Sequence, residues 1–154
     1  MYDVSVNEGE VNAKLLLQVL KQHNLPFRVS LAEDATSIVG VREYDNNSNR
    51  FFGFSLPLCS NDLPDYSRSI VCNKEDIVKM FSNYERASSV MAIMAQPLDI
   101  NAQPVRICYF ATNNKFTSSD VQNRITFITS ELNYNGIRKK NIEYYGEQAV
   151  GIEK

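Results

Sequence analysis

The sequence predicts an α/β fold built around a mixed sheet. Two observations support this prediction: segments with helical apolar spacing alternate with short apolar runs, and one polar turn joins two strand-like segments as a hairpin. In order, the predicted elements are a helix, a strand, a hairpin, a second helix, two strands and a third helix. With 154 residues, 44% of them hydrophobic, the chain is long enough for one domain with its own core.

The first helix and the first strand are predicted from apolar periodicity. Residues 9–23 repeat apolar side chains at helical spacing, and Pro26 ends this helix. The strand that follows covers residues 27–35. Alternation along it places Glu33 on the same side as the apolar strand residues and Asp34 on the opposite side.

A hairpin and a second helix come next. Residues 38–44 and 50–56 flank the turn-forming stretch 45–49, and residues 57–73 are predicted to be a loop. Asn73 is a suitable N-cap, because acidic residues follow it in the first turn of the predicted helix. The apolar face of this helix is predicted to contain Ile77, Met80, Phe81 and Tyr84.

Two strands and a third helix complete the predicted fold. Residues 88–95 form a continuous apolar run, which predicts a strand buried on both faces. Residues 105–113 predict another strand, with Val105, Ile107, Tyr109 and Ala111 on one side. The third helix is capped by Thr117 or Ser118, ends at Gly136, and carries the apolar stripe Val121, Ile125, Ile128 and Leu132. Residues 142–145 predict either a short strand or a frayed tail.

Composition argues against several classes of function. The net charge of −2 and the pI of about 5.4 do not favour nucleic-acid binding. Three cysteines without a zinc or redox spacing, and a single histidine, His23, argue against a Cys/His zinc site and favour reduced thiols in an intracellular chain. No signal peptide is recognisable, and no apolar run approaches the roughly 20 residues of a membrane helix.

An ordered series of segments resembles a known family. These segments are EDATSIVGVREYDNNSNRFFGF (33–54), VMAIMAQPL (90–98), PVRICYFATNN (104–114) and FTSSDVQNRITFITSELNYNGIR (116–138). Over residues 28–138 the chain resembles the front half of the catalytic domain of P-element-like and THAP-domain-containing transposases. The resemblance implies a partial RNase H-like fold, a mixed sheet with an added β-hairpin and flanking helices. It divides the chain into an N-terminal helical segment (1–27), a truncated transposase domain (28–138) and a divergent tail (139–154).

The resemblance also implies a site. It places the first catalytic acid of the family on Asp34, which would be a ligand to Mg²⁺ in a two-metal reaction that cleaves and joins DNA strands. The family carries its second acid, an aspartate usually next to a glycine, on a strand after the Gly-Ile-Arg helix end. This chain has no aspartate after Asp120, and the third acid is missing too. The expectation is therefore a transposon-derived domain that binds no metal and is catalytically silent in this chain.

Other interpretations remain open beside this one. Asp34 is also explained as a solvated acid near a strand end, and Glu33, its neighbour, faces away and does not share an ion with it. His23 at a helix end and the basic run 138–140 after another helix are explained by the helix dipole, although the basic run could touch phosphate. Cys72 precedes a helix and has no evident catalytic partner.

The missing acid strand has a structural consequence. In the RNase H fold the first strand is central, and it pairs in parallel with the strand that follows the Gly-Ile-Arg helix. Without that strand its edge is exposed, and the expected outcomes are a substitute strand from the tail, self-association through the edge, or aggregation. We favour a weak substitute strand around Ile142.

Three functions are compatible with these observations. The first is the silent transposase-derived domain, whose ancestral partner is DNA, with weak or no nucleic-acid binding by this chain and a nuclear location if it functions. The second is a domesticated interaction module that binds protein or nucleic acid without catalysis. The third and least favoured is a working nuclease that borrows acids from a partner chain.

Overall fold

The computed structural model describes residues 7–146, which form an α/β fold with three α-helices. The helices are α1 (Ala13–Gln22), α2 (Lys74–Asn83) and α3 (Ser118–Tyr134). The strands are β1 (Val29–Ser37), β2 (Glu43–Asp45), β3 (Arg50–Phe52), β4 (Phe54–Ser55), β5 (Glu85–Arg86), β6 (Ser89–Pro97), β7 (Val105–Thr112) and β8 (Ile142–Gly146). Short 3-10 helices lie at Tyr66–Ser69 and Lys139–Asn141. Within this range no helix has both the length and the apolar character needed to cross a membrane.

The main sheet has four strands in the order β7-β6-β1-β8 and is mixed, as the sequence predicts. β1 is antiparallel to β6 and parallel to β8, and β6 is antiparallel to β7. The parallel neighbours β1 and β8 cannot be joined by a tight turn. The chain enters β8 only after it has passed from β7 through α3. The α/β class is thus confirmed, and the RNase H-like assignment stays a prediction.

The two faces of the main sheet differ in burial. The covered face, defined by Val29, Leu31 and Glu33 of β1 and their partners on the other strands, packs against apolar residues of α1 and α3. Leu16, Leu20, Ile128 and Leu132 of these helices are fully buried there. The open face, which carries Ala32 and Asp34 of β1 and Val90, Ala92 and Met94 of β6, is half-buried or exposed.

The predicted burial of β6 on both faces is therefore wrong. Its residues alternate strictly between buried and half-buried, so only one face of this strand lies in the core. The predicted side of β7 is also wrong in part. A bulge at Ile107 shifts the alternation, so Cys108 and Phe110 are buried while Tyr109 and Ala111 are half-buried.

The outer edge of β7 is covered by the segment that leads into α1. The Gly9 amide donates to the Tyr109 carbonyl at 2.8 Å, and the Asn12 amide donates to the Ile107 carbonyl at 2.8 Å. Glu8, 5% exposed, accepts the Ala111 amide through its carboxylate at 2.7 Å. Backbone groups of this edge strand are thus satisfied within the chain.

Residues 38–88 form a small lobe inserted between β1 and β6. Its two ends meet where the Ile38 amide donates to the Ser88 carbonyl at 3.0 Å. The lobe has a core of its own, made of Phe54, Leu56, Val71 and Met80. The predicted apolar face of α2 is only partly correct, because Met80 is 3% exposed but Phe81 is 45% exposed.

The hairpin in this lobe is shorter than the sequence predicts. β2 pairs with β3 across the predicted turn, but Gly53 has a φ of +97° and separates β3 from β4, which pairs with β5 instead. A Cβ at Gly53 would lie 2.2 Å from the Val41 carbonyl oxygen, so only glycine fits this bend.

The segment after α3 contains the substitute strand that we favoured. Ile142–Gly146 forms β8 and pairs along β1 in parallel, from Val29 opposite Ile142 to Glu33 opposite Gly146. α1 and β8 both pack against the core that lies under β1 and β6. The division of the chain after residues 27 and 138 stays a prediction.

Candidate functional site

Asp34 lies near the middle of β1, on the open face of the main sheet, and is exposed. It is paired with Ala92 of β6, and its preceding residue, Glu33, is paired with Gly146, the last residue of β8. Residues 147–154, the rest of the divergent tail, lie outside the described residues. Between residues 7 and 146, no group of three or more His, Cys, Asp or Glu side chains could hold a metal ion.

Glu33 points into the covered face, as the alternation predicts. Its side chain is 6% exposed and forms an ion pair with Arg124 of α3, which is 0% exposed, at an Nη2–Oε1 distance of 2.5 Å. The hydroxyl of Tyr144 on β8 donates to the other carboxylate oxygen of Glu33 at 3.3 Å. One buried carboxylate therefore connects β1, α3 and β8.

The guanidinium of Arg124 lies between two aromatic rings. Its central carbon is 5.1 Å from the ring centre of Phe110 and 5.0 Å from that of Phe116. Nη1 also donates to the Asp62 carbonyl in the small lobe at 3.4 Å. Arg124 thus ties the lobe to the main sheet, as well as balancing the charge of Glu33.

Burial around this ion pair changes the acidity of its neighbours. Desolvation, and secondarily the charge of Glu33, raises the pKa of Tyr144 well above its usual value, so its hydroxyl stays protonated and able to donate. Desolvation also raises the pKa of Cys108 to about 12, against a smaller opposing effect of Arg124. Cys108 is therefore a buried thiol rather than a nucleophilic thiolate at neutral pH.

The remaining residues singled out from the sequence lie apart from Asp34 in the fold. His23 is the C-cap of α1, where its amide donates to carbonyls of the last turn. Cys72 is exposed, and its amide donates to Asp76 at the start of α2. Arg138, Lys139 and Lys140 are exposed at and beside a 3-10 helix.

Arg124 and Tyr144 contact Glu33 but were not singled out from the sequence. Arg124 lies three residues after Val121 and four before Ile128, so it belongs to the apolar stripe of α3. A cation inside such a stripe indicates a buried acidic partner, and Glu33 was the one acid predicted to face the core. The sequence alone therefore contained a signal for this ion pair.

We compared the chain with protein-family models, curated proteins and solved structures, and none of them matches it. The fold and the site define an α/β protein whose first strand carries two adjacent acids, Glu33 and Asp34. One acid is buried in an ion pair, and the other is exposed on the open face.

Proposed function

We propose that this chain is the front half of an RNase H-like domain derived from a transposase, and that it is catalytically silent by itself. The observation that carries the proposal is the topology of the main sheet. A central β1, antiparallel to β6 and parallel to β8, with α3 connecting β7 to β8, is the arrangement expected for the first four strands of that fold. The sequence resemblance supports the same assignment independently.

The position of Asp34 fits the first acid of such a site. Because β1 and β8 are parallel, their carboxyl ends point the same way, and Asp34 lies one residue beyond the last described pair. A metal ligand that followed β8 would therefore come close to Asp34. The buried alternative, Glu33, is already occupied by Arg124 and Tyr144, so it is not available as a ligand.

The proposed lack of catalysis follows from the number of metal ligands. Two Mg²⁺ ions need several carboxylate oxygens between them, and a single aspartate leaves most of each octahedral shell to water. The sequence offers no aspartate after Asp120, and the first carboxylate after β8 is Glu147. The ancestral reaction, Mg²⁺-dependent cleavage and transfer of DNA strands in the nucleus, is thus not expected of this chain.

Manganese titration tests this proposal directly. Mn²⁺ broadens the NMR signals of nearby amides, so wild type, Asp34→Asn and Glu147→Gln are titrated together and assayed for cleavage of plasmid DNA. We expect only weak, non-saturating broadening around Asp34 and no cleavage. Saturable broadening with cleavage that both substitutions abolish would show a complete site and refute the silent assignment.

A domesticated protein-interaction module is the second candidate. It is favoured by the exposed apolar side chains of α2, where Val78 is 65% exposed and Phe81 is 45% exposed. The acidic balance of the chain favours a protein partner over nucleic acid. DNA binding measured across a range of salt concentrations separates the two kinds of partner, and tight, salt-sensitive binding would contradict this preference.

A further inference from the structure

A cleft of about 250 Å³ separates the small lobe from the start of α3. The lobe contributes Ser55 and Pro57 to its wall, the end of β7 contributes Phe110, and the region of α3 contributes Phe116 and Arg124. An apolar cavity of roughly 150 Å³ already accommodates benzene, so the cleft has room for a ring that bears one polar group.

Arg124, one of the residues that line this wall, carries an unpaired donor. Its Nη2 is bonded to Glu33 and its Nη1 to the Asp62 carbonyl, but its buried Nε–H has no hydrogen-bond partner among the described residues. A buried charged donor without an acceptor is unfavourable, because it has lost its hydrogen bonds to water and gained none in the protein. The wall therefore favours a molecule that brings an acceptor.

The other polar groups of the cleft point to the same chemistry. The Glu85 carboxylate accepts from Lys115 at 2.9 Å and from Asn113 at 2.7 Å, so its acceptor capacity is largely used. Ser55 accepts the Asn113 amide at 3.2 Å, which leaves its hydroxyl proton able to donate. The Ser55 hydroxyl and the Arg124 Nε–H are thus two donors with unused capacity among the residues that line the cleft.

We propose that this cleft binds a small planar molecule with a carboxylate, held by the Nε–H of Arg124 and the hydroxyl of Ser55. The apolar body lies against Pro57 and Phe110. Because Arg124 is fully buried and its guanidinium carbon lies 5.0 Å from the ring centre of the half-buried Phe116, we expect this ring to move when the carboxylate binds. This site lies on the covered side of the main sheet, away from Asp34, and does not depend on the transposase assignment.

Benzoate and benzamide are the probes that test the proposal. They share a shape, but only benzoate carries a negative charge, so only benzoate forms an ion pair with the Arg124 guanidinium. In ¹H–¹⁵N spectra we expect benzoate to shift the Arg124 Nε–H signal and the amides of Asn113 and Phe116 saturably. Benzamide should bind at least about tenfold more weakly.

A matched pair of variants locates the binding. Leu58 lines the cleft and is 43% exposed, whereas Leu98 lies outside it and is 39% exposed. Leu58→Trp should fill the cleft and abolish the benzoate shifts, and Leu98→Trp should leave them unchanged. Ser55→Ala, which removes one donor and little volume, should weaken benzoate binding and leave benzamide binding nearly unchanged.

Three results would overturn the proposal. The first is an absence of saturable shifts at Arg124, which would mean that water alone satisfies its Nε–H. The second is equal affinity for benzoate and benzamide, which would show that no charged contact forms. The third is benzoate binding that persists in a folded Leu58→Trp protein, which would place the ligand elsewhere on the surface.

Discussion

The two faces of the main sheet use neighbouring carboxylates in opposite ways. On the covered face Glu33 is buried and held by Arg124 and Tyr144, whereas on the open face Asp34 is exposed beside residues that are only half-buried. One residue step along β1 separates a group that fixes the fold from a group that faces water. An acid in an apolar strand therefore has to be assigned to a face of the sheet before it is assigned a role.

Removing the cation of the covered face should have the largest effect. Arg124→Met leaves Glu33 buried without its partner, so we expect unfolding free energy to fall by about 3–5 kcal/mol. Urea unfolding followed by circular dichroism measures this change. The control is Glu33→Leu combined with Arg124→Met, which removes both charges and should recover most of the loss. If the double variant is as unstable as Arg124→Met, the pair is not held by charge compensation.

Truncating apolar side chains should distinguish the two faces directly. Ile93 is fully buried and Met94, its neighbour on β6, is half-buried. Ile93→Ala should lower the unfolding free energy by about 3 kcal/mol and Met94→Ala by about 1 kcal/mol. Equal losses in denaturant unfolding would mean that the open face is covered in solution, for example by another copy of the chain.

Loss of the Tyr144 hydroxyl should have a smaller effect on the covered face. Tyr144→Phe keeps the ring and removes one donor to Glu33, so we expect a loss of about 1 kcal/mol. Hydrogen exchange of the β8 amides is the sharper measurement, because this bond joins β8 to β1. Unchanged exchange in β8 would show that its docking does not depend on this contact.

A second buried carboxylate, Glu8 at the outer edge of β7, makes stability depend on pH. Desolvation raises its pKa above the usual value of 4.5, against smaller opposing effects of the Ala111 amide and Arg50. The folded state therefore binds this proton more tightly than the unfolded state, and the stabilisation present below about pH 4.5 is lost as pH rises through the raised pKa.

Glu8→Gln keeps an oxygen that can accept the Ala111 amide and removes the ionisation. Its unfolding free energy relative to wild type should therefore increase between pH 4 and pH 7. Thermal unfolding of both proteins across this range measures the difference. A constant difference would show that Glu8 titrates with the same pKa in both states.

The smallest effect is expected on the open face. Asp34→Asn changes an exposed side chain, so unfolding free energy should stay within about 0.5 kcal/mol of wild type. Glu33→Gln, the same kind of change one residue earlier, should lower it much more, since Arg124 loses its charged partner. A large loss in Asp34→Asn would indicate a structural contact at Asp34 and count against its assignment to an open metal position.

The sequence predicted much of this fold because most elements follow simple periodicity. Asn73 and Thr117 begin their helices with capping boxes, and the alternation along β1 placed Glu33 and Asp34 on the correct faces. The errors have physical causes. The bulge at Ile107 and the bend at Gly53 depend on backbone conformations that alternation does not register.

The candidate site was harder to predict than the fold. Its contacts join residues far apart in the chain, such as Glu33 and Arg124, separated by 91 positions. Only the position of Arg124 in the stripe of α3 signalled this pair. The short β8 was ambiguous in isolation, because its strand character depends on the neighbouring edge of β1 as much as on its own residues.

Residues 8–12 lie along β7 and determine which edge of the main sheet can be extended. With the β7 side closed by the chain itself, a further strand added to this sheet would join next to β8. A strand added next to β8 would lie on the same side of the sheet as Asp34. Any segment that extends the sheet therefore also brings new side chains toward that aspartate.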